Sequence, residues 1–176
     1  MINTVILGNI FSFLAALCIT ISVVKKTKTD FIGWQLGDDI FGCLTCLTLG
    51  SYSALTVCFV CFIRNLLAYK NKLNRLLTYL LFSANIVVGL YVNNLGAIGL
   101  LPVIAAASYT IFVYLAKTAQ QMRLALISNL SLWVIHCWYI QAYPSTIMNF
   151  SICCWTIYQA LKRSKFIKTR LKTKIA

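Results

Sequence analysis

Four ionisable side chains lie inside long apolar stretches of the sequence: Asp38, Asp39, Arg64 and His136. A charge at the centre of a bilayer costs roughly 2.5–3.5 kcal/mol on insertion scales, so such groups usually face a protein interior or a water-filled cavity. Carboxylates and a guanidinium can neutralise one another, and an imidazole can both donate and accept hydrogen bonds. These residues are therefore the first candidates for a binding site or for internal pairing.

The stretch around His136 carries a polar and aromatic face. Asn129, Trp133 and His136 are spaced i, i+4 and i+7, which places an amide, an indole and an imidazole on one side of a helix. Asn149, in the next apolar stretch, would complete a polar lining. Two interpretations stay open: this face binds a ligand by stacking and hydrogen bonding, or His136 forms an interhelical hydrogen bond worth about 1 kcal/mol while Trp133 packs.

The two aspartates and Arg64 predict a structural ion pair. They fall on consecutive predicted helices at similar depths from the same end, and a tight turn makes these helices neighbours. A pair between Asp38 or Asp39 and Arg64 is favoured over a role in substrate coupling, because an unpaired buried charge is the more costly arrangement. The alternative is that Arg64 extends along the helix to the inner membrane surface and that the two aspartates lie nearer the interface.

Composition identifies the elements that must position these residues. Hydrophobic residues make up 60% of the chain, charged residues 11%, and the mean hydropathy is +0.82. Soluble domains have about 45–50% apolar and ~25% charged residues. The sequence therefore predicts an all-α, polytopic integral membrane protein in contact with the lipid bilayer.

Charge distribution divides the chain into seven predicted transmembrane helices. Basic clusters near residues 25–28, 70–75, 117–123 and 162–174 alternate with uncharged turns near 49–53, 93–97 and 141–145. Because Lys/Arg-rich short loops stay in the cytoplasm, the N-terminus is predicted outside the cell and the C-terminus inside. The predicted helices are 5–24, 31–49, 53–69, 76–92, 97–116, 123–141 and 145–162.

The pattern also predicts an internal repeat. Laying residues 5–70 on residues 97–162 matches Lys25 with Lys117 and Cys61 with Cys153, and the basic clusters and neutral turns fall in step. Residues 1–162 would then form one transmembrane domain of two parallel three-helix repeats joined by a linker helix, 76–92. This 3+1+3 plan occurs in one class of small transporters.

Both ends of the chain have a simple interpretation. The first apolar stretch is predicted to remain a membrane helix rather than a cleaved signal peptide, because its basic residues follow it instead of preceding it. Residues 163–176 are predicted to form a basic cytoplasmic tail attracted to anionic lipid head groups. The location of that charge favours lipid contact over nucleic-acid binding.

Metal, cofactor and catalytic signatures are weak. Two CxxC pairs, Cys43 with Cys46 and Cys58 with Cys61, would suggest zinc in a soluble chain, but here they fall within predicted helices and are interpreted as small buried hydrophobic residues. Three acidic residues, one histidine and no glycine-rich phosphate loop do not favour an enzyme. We expect no metal, no cofactor and no catalytic residues. Pro102 is predicted to mark the start of the fifth helix rather than a moving hinge.

Three segments resemble a known family: FIRNLLAYK (62–70), GLLPVIAAASYTIF (99–112) and QMRLALISNLSLWVIHCWYIQ (121–141). They are similar to the YgjV-like bacterial inner-membrane proteins, most specifically at 101–104 and 133–136. The resemblance implies a multi-pass protein of the bacterial inner membrane. The helix plan also resembles the SWEET sugar carriers, PnuC-type vitamin carriers and the KDEL receptor, although the Pro-Gln dipeptide of that group is missing.

Two functions are compatible with this sequence. The first is a carrier that binds a small polar metabolite between the two repeats and exposes it alternately to each side, by facilitated diffusion. Asn129, Trp133, His136 and Asn149 would then line the site, with Pro102 nearby. The second is a receptor-like or accessory subunit that binds another membrane protein. The helix face that carries Asn129, Trp133 and His136 distinguishes the two functions. It should point into a cavity in a carrier, and towards packed neighbours or the outer surface in an accessory subunit.

Overall fold

The computed structural model describes the backbone of residues 2–175 and the side chains of residues 3–160. This part of the chain forms seven α-helices and contains no strand: α1 (Ile2–Val24), α2 (Lys28–Thr48), α3 (Tyr52–Tyr69), α4 (Arg75–Tyr91), α5 (Ala97–Leu115), α6 (Ala119–Tyr139) and α7 (Tyr143–Ile175). The all-helical prediction is confirmed. The side chains of the predicted basic tail, residues 163–176, lie outside the described residues.

Polar caps fix three helix starts at the end of the bundle that holds the basic loops, called here the basic end. The Thr27 side chain accepts a hydrogen bond from the backbone N–H of Asp30 at the start of α2. At the start of α4, the Asn74 side chain accepts one from the backbone N–H of Leu77. Thr118 and Gln121 form a reciprocal capping box at the start of α6. Each cap satisfies N–H groups that have no partner within their helix, so helices can start abruptly next to short loops.

Left-handed backbone makes two of the turns at the opposite, neutral end. Gly50 between α2 and α3 has a φ of 73°, and Gly96 between α4 and α5 has a φ of 56°. Glycine adopts this conformation without the steric cost that a Cβ atom imposes. The short turns make successive helices antiparallel neighbours.

The helices form a ring with one helix outside it. Each of α1, α2, α3, α5, α6 and α7 contacts the next in that order, and α7 contacts α1. Helix α4 packs outside the ring against α3 and α5, while α2 and α6 approach one another across its centre. The ring therefore has an interior to which six helices can contribute side chains.

Glycines allow two close helix crossings. A Cβ atom on Gly37 of α2 would lie 2.9 Å from the Sγ atom of Cys18 in α1, and one on Gly89 of α4 would lie 2.5 Å from Cγ2 of Val103 in α5. Small residues at such crossings let helix backbones approach closely, which is how membrane helices gain packing energy.

The outer surface is apolar, as lipid contact requires. Large side chains such as Ile10, Phe59, Val87 and Ile147 are more than half exposed. Soluble monomers rarely expose large apolar areas. Three helical segments are long and apolar enough to cross a bilayer, Asn3–Val24, Tyr52–Tyr69 and Ala97–Leu115, and Arg75–Tyr91 is a shorter apolar helix. The prediction of seven spans stays a prediction.

Candidate functional site

A cavity of about 80 Å³ lies inside the helix ring. All six ring helices line it, and α2 and α6 contribute more lining residues than the other helices. At ~30 Å³ per water molecule, this space holds roughly three waters or one small solute. Its polar lining includes Gln35, Asp38, Asp39, Arg64, Asn65, Asn129 and Asn149.

A carboxamide connects the buried arginine to one aspartate. Asn65 Nδ2 donates a 2.7 Å hydrogen bond to Asp39 Oδ2, and Arg64 Nε donates a 3.2 Å hydrogen bond to Asn65 Oδ1. Asp39, Arg64 and Asn65 are all at least nine-tenths buried. The predicted partners Asp39 and Arg64 thus come together through Asn65, which accepts from the cation and donates to the anion.

The other contacts of Arg64 anchor it to α5. Its Nη1 atom lies 3.3 Å from the Thr110 hydroxyl, and its guanidinium carbon lies 5.0 Å from the centre of the Tyr109 ring. The Tyr109 hydroxyl in turn accepts a 3.0 Å hydrogen bond from Gln35 Nε2. Arg64 is 2% exposed, so it is held inside the bundle and does not extend to the surface.

Asp38 differs from its neighbour. It is half-buried and lines the cavity. No hydrogen-bond donor within the described residues contacts its carboxylate. Among the described residues, Asp38 is therefore the acidic group of the cavity that lacks a hydrogen-bond partner for its carboxyl group.

Asn129 and Asn149 both face the cavity, from α6 and α7. They are 9% and 7% exposed. Neither carboxamide has a hydrogen-bond partner among the side chains and backbone that the structure describes. Buried amides are nearly always paired, because an unpaired one loses its hydration without compensation. Both amides are therefore available to a solute or to water in the cavity.

His136 lies off the cavity and is fully buried. Its Nδ1 atom is 3.2 Å from the carbonyl oxygen of Ile98, and its Nε2 atom is 3.1 Å from the Ser51 hydroxyl. Because a carbonyl oxygen only accepts, Nδ1 carries the proton of the neutral ring and Nε2 accepts from Ser51. His136 thus joins α6 to the start of α5 and to the turn before α3.

Pro102 explains why the Ile98 carbonyl is available to His136. The proline lies five residues after the first residue of α5, inside the helix rather than at its start. In an unbroken helix, residue 102 would donate its N–H to the carbonyl of residue 98, and proline has no N–H. The imidazole of His136 replaces that donor. Membrane helices tolerate proline when a neighbouring group satisfies the freed carbonyl in this way.

Trp133 connects the buried histidine to the cavity. Its indole meets the His136 ring edge to face, with centroids 5.6 Å apart and planes at 90°, and it also lines the cavity. The predicted face of α6 is therefore divided: Asn129 and Trp133 reach the cavity, and His136 bonds to α5 and the turn before α3.

Cationic side chains join the two halves of the ring at the basic end. Lys28 Nζ of α2 donates to the carbonyl of Ala116 at 2.6 Å and to that of Val113 at 3.0 Å, at the end of α5. Arg123 of α6 donates to the carbonyls of Val23 and Lys25, at the end of α1. Cations at helix C-termini satisfy unpaired carbonyls and the negative end of the helix dipole.

Hydroxyl and amide groups join α1 to α7 at the neutral end. The Ser12 and Ser145 hydroxyl oxygens are 2.8 Å apart, and Asn9 bonds to the backbone of Gln141 and Tyr143. The cavity therefore lies between cross-links at both ends of the bundle.

The cysteines form neither disulfides nor a metal site in the described part of the chain. All eight thiols are free, and no group of three or more His, Cys, Asp or Glu side chains is placed to hold a metal ion. Cys46, Cys58 and Cys61 line the cavity as small apolar groups.

Sequence reasoning missed four residues of the site. Gln35, Asn65, Tyr109 and Thr110 extend the network around Asp39 and Arg64. Two signals were present: Gln35 precedes Asp39 by four residues on the same helical face, and Asn65 follows Arg64 directly. Neither identifies a partner on another helix.

An all-helical ring with an apolar exterior and a polar interior defines the class as a helical membrane protein. The family model Imp-YgjV, described as bacterial inner membrane protein, matches residues 6–165. The chain belongs to this family, and the predicted resemblance to it is confirmed. No curated protein and no solved structure shows significant similarity to the chain. The likeness to SWEET and PnuC carriers stays a prediction.

Proposed function

We propose that the protein is a carrier for a small polar solute, which binds in the cavity between two three-helix units and crosses the membrane by alternating access. The observation that carries the proposal is the pair of buried cavity amides, Asn129 and Asn149, which have no partner in the described chain. Unpaired buried polar groups in a membrane interior usually mark a solute pathway.

Helix contacts support the two-unit plan. In each unit the first helix contacts the second and the second contacts the third. Between units, α1 contacts α7 and α3 contacts α5, so the first helix of each unit meets the third of the other. Two parallel repeats related by an axis along the membrane normal would make contacts of this kind. We therefore propose seven spans in a 3+1+3 arrangement, with α4 as the linker.

Cross-links at both ends support alternating access. Lys28 and Arg123 join the units at the basic end, and Ser12 with Ser145 joins them at the neutral end. Opening either end breaks a few hydrogen bonds and leaves the packing within each unit unchanged. The proposal includes no chemical step and no energy coupling, so the solute moves down its own gradient.

Orientation follows the positive charge. We propose that the basic end faces the cytoplasm and the N-terminus faces outward, with the basic tail at the anionic inner surface of the membrane.

Uptake into proteoliposomes tests the carrier function. The probes are acetamide, methylammonium and glycine, each radiolabelled and compared with protein-free liposomes. At least one probe should enter faster with the wild-type protein. Asn149→Leu should abolish that uptake, because it replaces a cavity carboxamide with an apolar group.

The matched control is Ser151→Ala. Ser151 is exposed on the same helix, and among the described residues its hydroxyl bonds only to the carbonyl of Ile147 one turn away. This variant should transport normally. If no probe enters faster than in protein-free liposomes, the carrier proposal is wrong and an accessory subunit becomes the better explanation.

A further inference from the structure

The cavity contains a carboxyl group, that of Asp38, to which the described residues provide no hydrogen-bond donor. Arg64 and Asp39 form one balanced network through Asn65, with Arg64 also held by Thr110. Asp38 lines the same cavity and receives no hydrogen bond from the described residues. Ionisation of an unpaired carboxyl group in such an interior has a high desolvation cost. A cation in the cavity would remove the cost of leaving this carboxylate unpaired.

The two unpartnered amides are an independent sign of a ligand. Asn129 and Asn149 are more than nine-tenths buried and line the cavity with Asp38. A carboxamide oxygen accepts hydrogen bonds, and an ammonium group has three N–H donors and no acceptor. One carboxylate and two carboxamide oxygens together match the donors of one primary ammonium group.

We propose that the cavity binds a small primary ammonium cation, with Asp38 as its counter-ion and Asn129 and Asn149 as the remaining acceptors. The inference rests on the proposed carrier function and names the substrate class of that site. It requires no chemical step, since the cation binds and leaves unchanged.

Other cavity residues favour an organic cation over a metal ion. Trp133 presents an indole, and Cys46, Cys58 and Leu130 are apolar or weakly polar neighbours. Hard metal ions prefer shells of six or more oxygen ligands, whereas an indole attracts an organic cation through its π face. The volume of about 80 Å³ limits the cation to a few non-hydrogen atoms.

Calorimetric titration of the protein in nanodiscs tests this inference directly. The probes are methylammonium chloride, tetramethylammonium chloride, sodium chloride and acetamide. Methylammonium should bind, acetamide should not because it lacks the charge, and tetramethylammonium should not because it has no N–H and is larger. Binding of sodium but not methylammonium, or of acetamide but not methylammonium, overturns the proposal.

Matched variants assign the binding to Asp38. Asp38→Asn is nearly isosteric and should weaken methylammonium binding by about tenfold or more, through loss of a charge-assisted hydrogen bond. Asp30→Asn removes an exposed carboxylate from the first turn of the same helix and should leave binding unchanged. Equal affinities in wild type and a folded Asp38→Asn variant would overturn the proposal. Asn129→Leu is the second variant if Asp38→Asn does not fold, and it should also weaken binding.

Uptake of radiolabelled methylammonium separates this inference from the carrier function. Binding without uptake supports the ammonium site and contradicts the carrier. Uptake of a neutral probe without any methylammonium binding supports the carrier and overturns the ammonium site.

Discussion

Replacing His136 with alanine should destabilise the protein through the backbone of another helix. The substitution leaves the Ile98 carbonyl without the donor that compensates for Pro102, and it removes the acceptor of the Ser51 hydroxyl. A buried group that loses its partner costs about 1–3 kcal/mol, although interhelical hydrogen bonds in membrane proteins average only ~0.6 kcal/mol. Since His136 is fully buried, truncation also leaves a cavity. We expect the free energy of unfolding to fall by roughly 2–4 kcal/mol.

A double-mutant cycle isolates the hydrogen bond from the packing. Pro102→Ala supplies an N–H that can donate to the Ile98 carbonyl, so His136→Ala should cost about 1 kcal/mol less in that background. His136→Asn is the matched control. Its carboxamide N–H₂ can occupy the position of Nδ1, so this variant should retain more stability than His136→Ala.

The assay is unfolding in mixed detergent micelles, followed by circular dichroism for the four proteins of the cycle and for His136→Asn. If His136→Ala and Pro102→Ala change the free energy of unfolding in a strictly additive way, His136 is not the donor that replaces the missing N–H of Pro102. Equal losses of unfolding free energy in His136→Asn and His136→Ala would also refute this role of His136.

Three further predictions concern the network, the packing and the orientation. Asn65→Leu should lower the free energy of unfolding in micelles by about 1–3 kcal/mol, because Asp39 and Arg64 lose the amide between them; no measurable change would contradict the network. Gly89→Val should destabilise by about 1–3 kcal/mol through the clash with Val103, and Val103→Ala should restore most of that loss; a failure of Val103→Ala to rescue would place the strain elsewhere. A green fluorescent protein fused to the C-terminus should fluoresce, and alkaline phosphatase at the same place should be inactive; the reverse pattern would invert the proposed orientation.

Helix number and most helix ends were predictable because they depend on local signals, but α7 continues to Ile175, beyond its predicted end at residue 162. Each basic cluster with a capping residue, such as Thr27 or Thr118, marks a short loop, and each uncharged turn marks the opposite end. The helix periodicity correctly placed Asn129 and Trp133 on one face, and both line the cavity. These patterns need no knowledge of which helices are neighbours.

The groups that link side chains on different helices were not predictable in the same way. The link between Asp39 and Arg64 depends on the Asn65 side chain turning towards α2, and the role of His136 depends on Pro102 approaching α6. Interhelical geometry is set by packing of the whole bundle, so spacing along one helix does not reveal it. The sequence predicted that an aspartate and Arg64 lie close together, but it did not identify Asn65 as the group between them or the Ile98 carbonyl as the partner of His136.

Alternating access is tested most directly by locking the neutral end. In a background without the eight native cysteines, Ser12→Cys and Ser145→Cys replace two hydroxyl groups whose oxygens are 2.8 Å apart, close enough for a disulfide. The measurement is uptake of the best probe into proteoliposomes before oxidation, after oxidation and after reduction. The carrier account predicts uptake that stops on oxidation and returns on reduction. Uptake that is unaffected by the disulfide would contradict it.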